Sequence, residues 1–382
     1  MATWQNPPLS LFPGRSGSGT LYTEHSGGDI SDFLTKSGIH CYCMANKAGA
    51  QVDTYYFSIL DYSKYSRLPR LLPALSAWAG VTVRQAQQAP AGAFALELQR
   101  RNRQNVGFGS CVSSSSWQGS SMGAALVGAG NGGTVTALNI DHAPHVLIAG
   151  QTGSGKSVLC NTIIASLLLK NSPDDAEFIF IDPKQVEFSR YASLPHVKSN
   201  GMVTSVDGAL QALQRLCNRM DTRYKNMQKS GHKEFSGKKI YIFIDELADL
   251  MLTAGKLKKQ VEGCIIRIAQ KGRAAGLHLI IATQTPRASV ITGLISANIP
   301  VKIALTVSST RESVLILGHK GAEQLTGSGD CILKTPLAGE MRLQAAYISD
   351  AEIDALVAFW QRQRPFDTGI GLPRFIKKLL SL

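Results

Sequence analysis

Five short apolar runs, HVLIAG, EFIFID, KIYIFID, LHLIIATQ and PVKIALTV, fall between residues 145 and 307, with helix-forming stretches between them. Runs so rich in β-branched residues and so poor in polar ones fit strands covered on both faces. Parallel strands need crossovers of a dozen or more residues, usually helical, and the spacing of the runs provides them. The alternation therefore predicts an α/β fold, a mostly parallel sheet with helices on both faces.

The first run leads straight into Gly150-Gln151-Thr152-Gly153-Ser154-Gly155-Lys156-Ser157, which fits GxxxxGK[ST], and the helical segment SVLCNTIIASLLLK follows from Ser157. The chemistry needs that order. Glycines let backbone N–H groups curl around a β-phosphate while a helix N-terminus turns its partial positive charge to the same anion. Residues Gly150 to Val158 are thus the candidate nucleotide contacts, with Lys156 reaching the β- and γ-phosphates and the Ser157 hydroxyl ligating Mg²⁺.

A second run, KIYIFID, ends in Asp245-Glu246. An ion bridging triphosphate to protein needs one acid, and hydrolysis needs another. Asp245 would hold the Mg²⁺ through its hydration shell and Glu246 would polarise the attacking water, making ATP and Mg²⁺ the expected cofactors. LHLIIATQ ends in Thr283 and Gln284, which read either as a γ-phosphate sensor or as an ordinary strand-end turn. Asp182-Pro183-Lys184 ends another strand and either lines the pocket or turns the chain. Arg267, Lys271 and Arg273 cluster near the end of KLKKQVEGCIIRIAQKGRAAG. They fit a solvated helix terminus, where cations suit the dipole, or an arginine offered to a neighbouring subunit's γ-phosphate.

Around this core the chain divides by composition. Residues 1–28, rich in Pro, Gly and Ser, read as a flexible arm, and 29–108 as a small α/β domain with helices near Ile30–Ser37 and Leu68–Trp78 and strands near Tyr55–Leu60, Val81–Arg84 and Phe94–Leu98. Residues 109–364 hold the motif-bearing domain, opening with a flexible crossing segment, GSCVSSSSWQGSSMG, and a hairpin turning at Asn131-Gly132. Residues 365–382, including FIKKLLSL, read as a basic amphipathic tail.

The balance of 40 Lys and Arg against 27 Asp and Glu, +13 in all, favours a polyanionic partner, nucleic acid before an anionic membrane surface, over an inert basic exterior. Seven cysteines without paired metal-ligand spacing read as reduced thiols in a cytoplasmic protein; His40, Cys41 and Cys43 lack a second ligand pair. The N-terminus has no basic region followed by an apolar core, so no secretion signal is expected. No run approaches the roughly 20 apolar residues that span a bilayer, so action at a membrane would need recruitment by another protein.

The stretches HVLIAGQTGSGKSV, FIFIDPKQVEFSRY, IDELADLM, RIAQKGRAAGLHLIIATQTP, VITGLISANIP and GAEQLTGSGD together resemble the motor of the FtsK/SpoIIIE family of DNA translocases, within the FtsK/HerA group of P-loop ATPases. The resemblance extends from about Asp29 to Arg364, since LPRLLPALSAWAGVTVR is similar to the small domain preceding the family's motor. It implies a RecA-like ATPase core and a homo-oligomeric ring, usually a hexamer, that pulls double-stranded DNA through its channel. Under it Arg273 matches a trans-acting arginine finger and Gln284 a polar sensor, while Asp182 belongs to the shared IDPK element.

Four positions depart from the family's DNA-facing loops: Thr285, Ser296, Thr310 and Val314 are uncharged where family motors carry cations. Arg287 and Arg311, one or two residues away, are the substitute DNA contacts, since phosphate contacts depend on charge more than on strict geometry. A bare motor without the membrane-spanning and winged-helix parts of chromosomal translocases suits the transfer of plasmid or phage DNA. Protein secretion and chromosome partitioning are the alternatives.

Overall fold

The computed structural model describes residues 4–14, 25–86, 89–101 and 104–363. After an N-terminal segment, the chain forms α1 (Gly27–Lys36), β1 (Cys41–Ala48), β2 (Val52–Ile59), α2 (Leu68–Ala79), β3 (Val83–Gln85) and β4 (Ala93–Gln99). The four strands make an antiparallel sheet in the order β1-β2-β4-β3. A capping box starts α1, with Ser26 and Asp29 satisfying each other's backbone amides, and Gly80 in the left-handed region ends α2. Ile30, Leu34 and Leu75 of the helices pack on Tyr55, Phe57, Phe94 and Leu96. The sequence reading has no strand at β1, because CYCMANKA is mostly exposed and lacks a clean apolar alternation. Backbone pairing with β2 forms it.

The larger sheet takes up the rest. In chain order it comprises β5 (Val106–Gly107), α3 (Phe108–Val112), α4 (Ser115–Gln118), β6 (Ala124–Gly130), β7 (Val135–Asn139), β8 (His145–Ala149), α5 (Lys156–Lys170), β9 (Ala176–Ile181), β10 (Met202–Val203), α6 (Val206–Ser230), β11 (Lys239–Ile244), α7 (Leu247–Thr253), α8 (Lys258–Ala275), β12 (Leu277–Thr283), α9 (Gly293–Asn298), β13 (Val301–Leu305), α10 (Thr310–Leu317), β14 (Asp330–Thr335), β15 (Gly339–Tyr347) and α11 (Asp350–Arg362). Its order is β10-β9-β11-β12-β8-β13-β14-β15-β6-β7, with β5 paired to β15.

Strands β10 to β13 along this path run parallel, and those from β13 to β7 alternate in direction. The five apolar runs are therefore five adjacent parallel strands. Their continuous hydrophobicity has a simple cause: Phe178, Phe180 and Phe243 face a core shared with α5 and α11, while Ile179, Ile181, Ile242 and Ile244 face one shared with α6 and α8.

Two expectations need correcting. Residues 4–14 do not behave as a loose arm: Phe12 is buried and packs edge-on against Phe108 at 5.0 Å, and Trp4 lies 6.1 Å from Trp360. Aromatic burial outweighs the Pro- and Gly-rich composition there. Segment 109–123, expected to be a flexible crossing, folds as α3 and α4, with Cys111, Val112 and Trp117 in the core and Lys170 Nζ donating to the carbonyls of Trp117 and Ser120. The tail at 365–382 lies outside the described residues. Among the described residues, no helix is long and apolar enough to cross a membrane.

The two sheets are tied together. Arg342 of β15 donates to both Asp330 oxygens, at 2.9 and 2.6 Å, and pairs with Glu97 of β4. The Gly132 amide donates to the Ala48 carbonyl at 2.7 Å.

Candidate nucleotide-binding site

Strand β8 delivers the chain to the glycine loop and α5 takes it away, as the motif requires. Gly153 and Gly155 have φ of +79° and +99°, which side chains resist. A Cβ on Gly155 would stand 2.7 Å from the amide nitrogen of Gly329, and that amide donates to the Ser154 carbonyl at 2.8 Å. The loop is thus braced from behind by the 327–329 turn, leaving no room for alanine.

Lys156, 3% exposed, donates to the Asp245 carboxylate at 3.1 Å and to its carbonyl at 3.2 Å. Burial pushes the Asp245 carboxyl above its usual range, Lys156 draws it back, and the nearby Glu187 and Asp182 carboxylates raise it again. Glu246 caps α7 and is held by three donors, the Ala248 amide at 3.2 Å, the Thr283 hydroxyl at 2.5 Å and the Gln284 amide at 2.8 Å. The Gln284 side chain accepts from the Thr152 hydroxyl at 2.8 Å, linking the glycine loop to the end of β12. Lys156, Ser157, Asp245, Glu246, Thr283 and Gln284 therefore converge at one edge of the sheet.

Asp182 is fully buried, and its carboxylate accepts backbone amides from Gln185, Glu187 and Phe188 at 2.9, 3.1 and 3.1 Å. It shapes the loop after β9, while Lys184 pairs outward with Asp249 at 2.6 Å. That loop brings in a group the sequence reading missed: Glu187 accepts a hydrogen bond from the Ser157 hydroxyl. The available signal was the one acid between Asp182 and Ser189, which only the folded loop turns toward the P-loop.

Arg273 is elsewhere. It is exposed in the last turn of α8, just before β12, with no ion pair among the described residues. The P-loop follows the far ends of the strands, where Thr283 pairs with Ala149. The seven residues of β12 put about 23 Å between the two edges, too far for Arg273 to serve its own chain's pocket. Arg287 follows β12 and Arg311 begins α10 after β13; both are exposed at the P-loop edge.

The donor set fits magnesium-bound triphosphate. Crowded carboxylates stand beside a hydroxyl and an ammonium, and the buried Ser154 hydroxyl lacks a partner among the described residues. Fold and site together define a P-loop nucleotide-binding protein with a parallel α/β core. The FtsK/SpoIIIE family model matches residues 111–242 and 236–288. The DNA translocase FtsK of Streptococcus pneumoniae is 42% identical over 256 residues, covering 62% of this chain and 33% of that protein. That of Vibrio parahaemolyticus is 36% identical over 373 residues, covering 87% of this chain and 35% of that protein. The chain belongs to the FtsK/SpoIIIE family, and spans about a third of the length of these relatives. In structure it is similar to the pCW3 conjugation coupling protein TcpA, with a TM-score of 0.59 at 24% identity over 84% of this chain and 93% of that one, a likeness of fold.

Proposed function

We propose that this chain is an ATP-hydrolysing motor that assembles as a ring, in the family's manner a hexamer, and drives double-stranded DNA along its channel. The observation that carries the reading is the separation of Arg273 from its own P-loop. A site holding Lys156, Asp245 and Glu246 that its own Arg273 cannot reach calls for a second copy to complete it. ATP would be held by Gly150 to Val158, and magnesium by the Ser157 hydroxyl and, through water, Asp245. Bound there, the ion would neutralise carboxylate and phosphate charge together. The net charge of +13 and the exposed Arg287 and Arg311 support a polyanion as cargo. Service to plasmid or phage DNA is the finer part of this reading and rests on the sequence alone.

Linear duplex DNA is expected to stimulate ATP turnover, with Lys156→Ala abolishing it and Arg273→Ala lowering it at least about a thousandfold while nucleotide binding persists. Mixing the two inactive variants should restore partial turnover, because one contributes an intact pocket and the other an intact arginine. Turnover indifferent to duplex would remove the DNA half of the reading and favour a protein-secretion ATPase. Mixtures as dead as their parents would remove the shared site.

A further inference from the structure

Helices α6 and α8 run side by side in the same direction, joined by three successive rungs. Cys217 meets Cys264, Asp221 accepts from Arg267 at 2.7 and 2.8 Å, and the Tyr224 hydroxyl donates to the Lys271 carbonyl at 2.8 Å. In the first rung the Cys217 thiol donates to the Cys264 carbonyl oxygen at 3.9 Å, which sets the two cysteines side by side across the helix pair. The rung floors a groove of about 400 Å³ lined by Gln214, Asn218, Gln260, Gly263 and Arg267. Cys217 is buried and Cys264 half-buried, and both line this groove, through which reagents reach Cys264 from solvent.

We propose that Cys217 and Cys264 form a redox-modifiable thiol pair, which hydrogen peroxide converts to a disulfide. The Cys264 thiolate attacks one peroxide oxygen, the O–O bond breaks, and the departing hydroxide takes up the proton the thiol had released, so that Cys264 becomes a sulfenic acid and one water is formed. The Cys217 thiol then attacks that sulfur, forming the S–S bond and releasing a second water. Two thiols are oxidised by two electrons and one peroxide is reduced to two waters.

The assignment of roles follows from the surroundings. The neighbouring Cys217 thiol lowers the Cys264 thiol, burial opposes this, and the Arg267 guanidinium adds to the lowering. Burial pushes Cys111 and Cys160 up to about 12 and Cys41 up to about 11, and raises Cys43 and Cys331 as well. Cys264 is thus the attacking thiol and Cys217 the resolving one. The product would fasten α6 covalently to the helix that carries Arg273.

A lowered thiol carries more thiolate at neutral pH, which outweighs its weaker nucleophilicity. One thiol of the folded protein should therefore react with DTNB in a phase faster than the other cysteines, and Cys264→Ser should remove that phase. Stoichiometric hydrogen peroxide should lower the mass by 2 Da, with Cys217 and Cys264 peptides linked under non-reducing conditions and released by dithiothreitol. In Cys217→Ser the fast phase should remain and peroxide should leave a sulfenic acid that dimedone traps at Cys264. A fast thiol surviving in Cys264→Ser, linkage between other cysteines, or peroxide-treated wild type carrying only a dimedone adduct would each overturn the proposal.

Discussion

Glu187 illustrates what one residue adds to a motif. The glycines, Lys156, Ser157 and the Asp245-Glu246 pair are readable in the chain because their roles follow from backbone geometry and local order, each adjoining a strand end. Glu187 is not, because its approach to Ser157 depends on the Asp182 carboxylate gathering three amides of the intervening loop. On the proposed reading, its contact with the hydroxyl expected to meet magnesium would make it a positioning acid of the metal site. Glu187→Gln keeps the shape and loses the charge, so the Mg²⁺ concentration for half-maximal binding of a fluorescent ATP analogue should rise several-fold, with the melting temperature little changed. Metal-independent binding in both proteins, or identical Mg²⁺ titrations, would assign Glu187 to loop structure alone.

Elements tell a different story, in which periodicity succeeds where both faces are apolar and composition misleads where they are not. The parallel strands β8, β9, β11, β12 and β13 are legible since successive apolar residues serve cores on both faces of the sheet, as Phe and Ile do by turns in β9 and β11. Strand β1 is illegible because its stability is backbone pairing, and α4 because Trp117 alone anchors a Ser-rich turn. The N-terminal segment makes the same point: Pro and Gly suggest looseness, yet Phe12 is 2% exposed against Phe108. Truncating that ring should cost about 3–5 kcal/mol, so Phe12→Ala ought to unfold at clearly lower urea. An unaltered midpoint would show that residues 4–14 are not part of the folded core in solution.

Across the whole molecule, three histidine rings are shut inside the larger α/β unit as neutral groups. Burial pushes His145 and His196 down to about 4 and His278 down to about 3; His278 is further disfavoured by His145, Lys239 and Arg223, with Asp141 at 3.6 Å. In the unfolded chain these rings take up protons near the ordinary 6.5, and in the folded chain they do not until the pH is much lower. The unfolded state therefore binds more protons throughout that window, and stability falls as pH drops from about 6.5 toward 4, on the order of 1–2 kcal/mol per ring by pH 5. Urea unfolding measured at pH 7.5, 6.5 and 5.5 should show the decline begin below 6.5. His196→Asn should make it shallower, and an unchanged slope would mean that other groups take up the protons.

The placement of Arg273 and the P-loop on opposite edges has one more consequence. A subunit that completes its neighbour's pocket with a different surface from the one it offers in return makes a heterologous contact, which propagates head to tail. Such contacts close into a ring only if the rotation between successive copies divides the circle, and otherwise wind into an open filament. Every copy in a closed assembly would then point the same way around, giving it a clockwise or anticlockwise sense fixed by the fold before any cargo arrives.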